Sequence, residues 1–139
     1  MADFHNRSEL EARLTSLPHL VRLVLFTQTF GCDTCLSARQ VVAQIAGLSE
    51  QVTVDEYNLL LDKETVAEYD VDHTPAIAVV GETDLGIRYY GVPSGYEVAS
   101  LVDAVLLVGE RKPGLSEKSL VAAAALDRPL DIKVFVTPT

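Results

Sequence analysis

The amino-acid sequence predicts an α/β domain in which a mixed central sheet of about four strands is flanked by helices. Short apolar or alternating stretches, typical of strands, take turns along the chain with stretches whose apolar residues recur at helical spacing. Their order gives two strand-helix-strand crossovers followed by a hairpin. The chain has 139 residues, of which 48% are hydrophobic, so one compact domain can form a core without a metal or disulfide.

Five elements are predicted in the first half of the chain. Ser8 and Glu11 have the spacing of a capping box, which predicts the start of a helix. The wholly apolar end of the next stretch, Leu23 to Phe26, is typical of a buried strand, and the apolar spacing that follows Cys32 is helical. The predicted elements are a helix at 8–17, a strand at 20–26, a helix at 32–47, a strand at 52–58 and an acidic helix at 62–69.

The second half completes the sheet. Residues 76–80 form a wholly apolar strand, and a turn across 81–86, with a glycine at each end, leads into a strand at 87–90. That arrangement predicts an antiparallel hairpin. An amphipathic helix over 97–108 closes the domain, which we expect to span residues 1–110.

The last segment, 111–139, predicts a linker helix followed by the first strand of a truncated second unit. The sequence Arg-Lys-Pro-Gly at 111–114 ends the preceding helix, an alanine-rich stretch at 116–126 favours a new one, and 132–139 has strand character. The closing VFVTPT at 134–139 matches VLFTQT at 24–29, each residue 110 positions after its counterpart. We expect such an unpaired strand to join a sheet edge, its own or another chain's, so a homodimer through this strand is possible.

Charge and composition restrict the partners and the location. The formal net charge is -9, from 20 acidic and 11 basic residues. That charge repels nucleic acid and anionic membrane surfaces, so we expect neither as a partner. The N-terminal stretch is polar, and no apolar run approaches the ~20 residues needed to span a bilayer, which predicts a soluble cytoplasmic protein. In that reducing compartment a Cys-x-x-Cys pair favours catalysis or metal binding over a permanent crosslink.

The chain contains two cysteines, Cys32 and Cys35, where a buried strand passes into a helix. We expect Cys32 in the first helical turn, where unpaired amides and the helix dipole favour the nucleophilic thiolate. Cys35 would lie one turn deeper, close enough to form a disulfide and less accessible. Cys32 would attack a substrate disulfide, and Cys35 would then resolve the mixed disulfide. The acidic side chain of Asp33 opposes thiolate formation, which leaves the direction of the redox poise open.

A second candidate feature is Thr74-Pro75, immediately before the apolar strand. Proline cannot donate to a central ladder, so Pro75 must begin the strand or occupy a special bend. If the bond is cis, the bend could expose the Thr74 backbone to pair with a substrate segment beside Cys32. Phe30 and Gly31 could form an apolar lip for docking. These four residues are the predicted substrate-binding positions.

The sequence resembles the thioredoxin-like superfamily, and specifically the glutaredoxin-like protein disulfide oxidoreductases built from two thioredoxin-fold units. The resemblance covers nearly the whole chain and is carried by Phe30–Cys35, Thr74-Pro75, Arg88–Glu97 and Val134–Thr139. The chain is also similar to the disulfide-relay domain of the flavoprotein partner of alkyl hydroperoxide reductase, where the working cysteines belong to the second unit.

The resemblance implies a thioredoxin-like fold and a dithiol-disulfide oxidoreductase acting on protein disulfides. Cys32 is then the attacking thiol, Cys35 the resolving thiol and Pro75 the adjacent cis-proline. No bound cofactor or metal is implied beyond the reversible disulfide, and a flavoprotein reductase or a second thioredoxin-like unit would donate electrons. The chain departs from the family at Asp33-Thr34, between the cysteines, and in its first strand, which lacks the buried acid of thioredoxin.

Two other interpretations of the cysteine pair remain open. The pair could be half of a zinc or iron-sulfur site, although a closed zinc site needs four ligands and the sequence offers only three histidines besides the cysteines. The cysteines could also be two structural thiols in a redox-inert thioredoxin-fold module used for docking or dimerisation.

Overall fold

The apolar strand predicted first in the sequence lies inside a four-stranded mixed sheet. The structure is a computed structural model and describes residues 7–137. β1 (Val21–Thr27) pairs in parallel with β2 (Val52–Asn58) and antiparallel with β3 (Ala76–Val80). β3 also pairs antiparallel with β4 (Arg88–Tyr90), so the strand order is β2-β1-β3-β4. The predicted mixed sheet and its closing hairpin are confirmed.

Five helices accompany the sheet in the described part of the chain. They are α1 (Arg7–Thr15), α2 (Cys35–Ala46), α3 (Lys63–Tyr69), α4 (Tyr96–Glu110) and α5 (Glu117–Ala124). The predicted capping box is not formed, because Ser8 lies inside α1 and Glu11 instead accepts a hydrogen bond from Arg7 Nε at 2.9 Å. None of these helices is both long enough and apolar enough to cross a bilayer.

The two faces of β1 pack into two separate cores, because successive side chains of a strand point to opposite sides of the sheet. Val21, Leu23 and Leu25 pack with residues of α1, α2 and α4. Val24 and Phe26 point the other way, into a cluster that contains Tyr69 at the end of α3. Helices therefore cover both faces, and the central strand is fixed in its register by burial on both sides.

This topology brings three chain segments to one edge of the sheet. β1 and β2 are parallel, so both reach that edge at their carboxyl ends, where Thr27 pairs with Asn58. β3 is antiparallel and begins there, with Ala76 opposite Phe26. The loop after β1 carries Cys32 and leads to Cys35 at the start of α2, and the loop before β3 carries Thr74-Pro75, so both candidate motifs lie at the same edge.

The segment after α4 lies outside both cores. The predicted helix at 116–126 is present as α5, and Ser116 Oγ caps it by accepting a hydrogen bond from the Ser119 amide at 3.2 Å. Every residue from 111 to 137 is exposed, and residues 131–137 form no strand within this chain. The strand predicted at 132–139 thus finds no partner in its own sheet, and its last two residues lie outside the described part. Its role as the first strand of a second unit stays a prediction.

Candidate active site

Cys32 and Cys35 are joined by a disulfide. The S–S distance is 1.99 Å and the two Cα atoms are 5.5 Å apart. Cys35 is 4% exposed, whereas Cys32 is only half-buried. The sequence prediction of a bonded pair on one segment, with the first sulfur more accessible than the second, is therefore confirmed.

The position of Cys32 relative to α2 corrects the sequence prediction. The sequence predicts Cys32 in the first helical turn, but α2 begins at Cys35 with Thr34 as its N-cap residue. The first helical hydrogen bond runs from the Ala38 amide to the Thr34 carbonyl at 3.0 Å, and Cys32 accepts from the Cys35 amide across a separate turn at 3.4 Å. Cys32 thus lies in the turn that leads into the helix. The amides that open α2 still lie beside it, because Cys35 is both its partner and the first helical residue.

The predicted substrate-binding residues occupy the two loops at this edge. Phe30 is 85% exposed, and Gly31 has a φ of +77°, a conformation that favours glycine. The Thr74-Pro75 peptide bond is cis. Gln28 joins the loops, since its Oε1 accepts from the Thr74 hydroxyl at 2.7 Å and its Nε2 donates to the Phe30 carbonyl at 3.3 Å.

A groove of about 690 Å³ opens beside the disulfide. Both cysteines line it, together with residues from the ends of β1 and β2 and the first turns of α2. One wall is charged: Glu56 accepts from Arg39 Nε at 2.9 Å and from Arg39 Nη2 at 2.5 Å. The buried hydroxyl of Thr27 donates to the same carboxylate at 2.7 Å. The groove is thus a polar channel with the disulfide on one side and an ion pair on another.

These contacts keep the wall ionised at neutral pH. The hydrogen bonds from Arg39 lower the pKa of Glu56 below its ordinary value, and they outweigh the opposing effect of burial; the Thr27 hydroxyl adds to the lowering. The same pair raises the pKa of Arg39. Because a guanidinium and a carboxylate in fork geometry hold each other in place, this wall of the groove has a fixed arrangement.

Glu56→Gln should remove a stabilisation of the fold that is present at neutral pH and is lost in acid. A carboxylate whose pKa is lower in the folded than in the unfolded chain stabilises the fold above its unfolded pKa, and that stabilisation is lost as the pH falls through the folded pKa. Since both side chains are partly solvated, we expect the variant to be less stable at pH 7 by about 0.5–1 kcal/mol. Urea unfolding at a series of pH values should show the difference shrinking once the pH drops below about 4.3.

Glu50→Gln is the matched control, because Glu50 is an exposed glutamate in the loop between α2 and β2. Its urea midpoint should stay close to the wild-type value at each pH. A Glu56→Gln variant that differs from wild type by the same amount at pH 3 as at pH 7 would contradict the ion-pair account.

Several exposed apolar side chains lie in the segments that form the groove, and one of them, Leu36, lines it. Phe30 and Leu36 flank the disulfide, and Leu60 and Leu61 lie in the turn after β2. That turn is ordered, because Asn58 Oδ1 accepts hydrogen bonds from the amides of Leu60 at 2.9 Å and Leu61 at 3.2 Å. The side chains are therefore presented outward by structured backbone.

Sequence reasoning missed Gln28, Arg39 and Glu56. One signal was available for Arg39, which lies four residues after Cys35 and hence on the same face of α2. The other two depend on the pairing of separate strands. Among residues 7–137, no group of three or more His, Cys, Asp or Glu side chains is placed to hold a metal.

No family model matches the chain. It is 39% identical over 67 residues to an NADH dehydrogenase of Bacillus subtilis, and the matched segment covers 47% of this chain and 13% of that protein. It is 28% identical over 136 residues to the alkyl hydroperoxide reductase component AhpF of Staphylococcus epidermidis, covering 95% of this chain and 24% of that protein. The chain thus spans a quarter or less of the curated relatives it matches.

Solved structures give similar matches. The alkylhydroperoxide reductase component AhpF of Enterococcus faecalis, as its C503A mutant, superposes with a TM-score of 0.78 at 24% identity, over 89% of this chain and 60% of that one. A protein disulfide oxidoreductase from Aeropyrum pernix gives 0.76 at 23% identity, over 89% and 55%. A thioredoxin from Trichomonas vaginalis gives 0.50 at 22% identity, over 72% and 87%.

Proposed function

We propose that this chain, which has a thioredoxin-like fold, is a thiol-disulfide oxidoreductase that exchanges disulfides with protein substrates through Cys32 and Cys35. One observation carries the proposal: the two sulfurs are within bonding distance at an open groove, with Cys32 accessible and Cys35 buried. Such an arrangement gives one sulfur access to a partner and keeps the other close enough to finish the exchange. The relative named as an alkyl hydroperoxide reductase subunit, which is 28% identical over 136 residues, supports redox chemistry.

The exchange proceeds in two steps. The Cys32 thiolate attacks one sulfur of the substrate disulfide; that bond breaks, and the departing substrate sulfur takes a proton from water. Cys35 then loses its proton to water in the groove and attacks the Cys32 sulfur, which releases the second substrate sulfur. Two electrons pass from the cysteine pair to the substrate, leaving the Cys32–Cys35 disulfide. The amides that open α2 favour the thiolate at this position.

Phe30, Gly31, Thr74 and Pro75 form the substrate-binding surface in this proposal. Phe30 supplies exposed apolar area on one side of the disulfide. The Thr74 backbone, on the other loop, would pair with an extended segment of the substrate. The exposed side chains of Leu36, Leu60 and Leu61 favour a protein partner over a small hydrophilic thiol.

The reversible disulfide is the redox group of this scheme, with no bound cofactor. The oxidised pair must be reduced again by a flavoprotein reductase or a second thioredoxin-like unit, in the cytoplasm, where thiols are kept reduced. The exposed tail supports the second of these donors, because Ile132, Val134, Phe135 and Val136 present unburied apolar side chains that a second unit could cover. A homodimer through the same segment would cover them equally.

Reduction of insulin by dithiothreitol tests the proposal. The protein should shorten the lag before the free insulin B chain precipitates, because its dithiol reacts with insulin and is regenerated by dithiothreitol. Protein alkylated with iodoacetamide after reduction is the control and should behave as buffer. If native protein leaves the lag unchanged, the chain is a redox-inert docking module instead.

A further inference from the structure

Gln28 connects the two loops of the candidate site. It directly follows β1, and its side chain is half-buried. Its amide oxygen accepts from the hydroxyl of Thr74, 46 residues away, at 2.7 Å. Its amide nitrogen donates to the carbonyl of Phe30 at 3.3 Å. A single side chain therefore holds both the loop that leads to Cys32 and the loop that leads to Pro75.

A glutamine is required for this pair of contacts. The Thr74 hydroxyl needs an acceptor and the Phe30 carbonyl needs a donor, and the carboxamide offers one of each on a single planar group. Glutamate lacks the donor and would place a carboxylate against a carbonyl oxygen. Leucine has nearly the same volume and offers neither.

The contact also reaches the residue next to Cys32. A Cβ atom added to Gly31 would stand 3.9 Å from Gln28 Nε2, so the glutamine amide lies against the backbone between Phe30 and Cys32. The conformation of that backbone sets where the Cys32 sulfur stands relative to the Thr74 loop. Gln28 thus contacts both loops of the site and can fix their relative position.

We propose that Gln28 is a positioning residue that holds the Phe30–Cys32 loop in register with the Thr74-Pro75 loop for docking of an extended, disulfide-bearing protein segment. This inference rests on the proposed function and deepens it. A protein segment that touches both loops depends on their relative position, whereas a small disulfide needs contact with the Cys32 sulfur alone. Gln28 therefore promotes reaction with protein disulfides and has no effect on reaction with small ones.

Rate constants for the reduced protein test this inference with two disulfides, insulin and 5,5′-dithiobis(2-nitrobenzoic acid). For Gln28→Leu, which loses both hydrogen bonds, the ratio of the insulin to the small-disulfide rate constant should fall by about 5- to 20-fold. Gln28→Glu, which keeps the acceptor for Thr74, should also lower the ratio. In a double-mutant cycle with Thr74→Val, the second substitution should cost less in the Gln28→Leu background than in wild type, because the shared hydrogen bond is already absent.

Gln44→Leu is the matched control, because Gln44 is an exposed glutamine farther along α2, and its ratio should equal that of wild type. An unchanged ratio in Gln28→Leu overturns the inference, whether both rate constants stay the same or both fall together. In either case the proposed function stands as long as the wild-type protein reacts with insulin. If the wild-type protein reacts with neither disulfide, the proposed function itself fails.

Discussion

Cys32→Ser should reduce the protein's effect on insulin reduction to the background rate. A serine hydroxyl is not ionised near neutral pH, so the variant lacks the nucleophile that begins the exchange. Cys35→Ser should have a different outcome, since Cys32 still attacks but nothing resolves the product. We expect this variant to accumulate as a mixed disulfide with insulin chains, detectable by mass spectrometry and by a band on non-reducing gels that disappears with dithiothreitol.

The contrast between the two variants assigns the roles. The half-burial of Cys32 and the full burial of Cys35 predict that only the first sulfur meets a partner. The variant lacking both cysteines is the control and should form no adduct. Adducts that form on Cys35 in the Cys32→Ser variant, and not on Cys32 in the Cys35→Ser variant, would reverse the assignment.

Phe26→Ala should destabilise the fold by about 3–5 kcal/mol. Phe26 is fully buried in β1, and its ring centroid lies 6.0 Å from that of Tyr57 and 5.6 Å from that of Tyr69. Truncation removes buried apolar area, leaves a cavity and ends both aromatic contacts. Since small domains have total stabilities of roughly 5–15 kcal/mol, urea unfolding should show a large fall in the midpoint.

Phe135→Ala is the matched control. Phe135 is 89% exposed in the tail, so the same substitution there removes no core packing. Its urea midpoint should differ little from that of wild type, as is usual for surface positions. A loss of stability for Phe135→Ala as large as that for Phe26→Ala would contradict the exposed position of Phe135. It would show that this side chain is buried in solution, against its own domain or against a second copy of the chain.

The features that follow local rules could be predicted from the sequence. β1 and β3 are strongly apolar and short, so their patterns predict buried strands, and the glycine-bounded turn at 81–86 predicts the hairpin that joins β3 to β4. The pairing of Cys32 with Cys35 also depends on local spacing. The two cysteines, and the two ends of the turn, lie within a few residues of one another. In β1 and β3, burial itself requires the apolar sequence pattern.

The features that were missed depend on long-range pairing or on small backbone differences. Glu56 meets Thr27 because β1 and β2 are in parallel register, with Leu25 opposite Glu56, and nothing in either strand alone indicates that contact. Gln28 meets Thr74 because β1 and β3 are antiparallel, with Phe26 opposite Ala76. The sequence predicts a start of α2 at residue 32, three residues before the observed start, because apolar periodicity does not locate an N-cap, which depends on backbone hydrogen bonds.

Because Cys32 lies ahead of α2, a change in the bonding of its sulfur does not involve a residue of that helix other than Cys35. In the proposed exchange the sulfur that is released lies in a short turn, whereas Cys35 lies on a helix whose Ala38, Val42 and Ile45 are packed in the core. Neither oxidation nor reduction therefore requires that helix to unwind. In the proposed cycle the domain would change its oxidation level with its hydrophobic interior left intact.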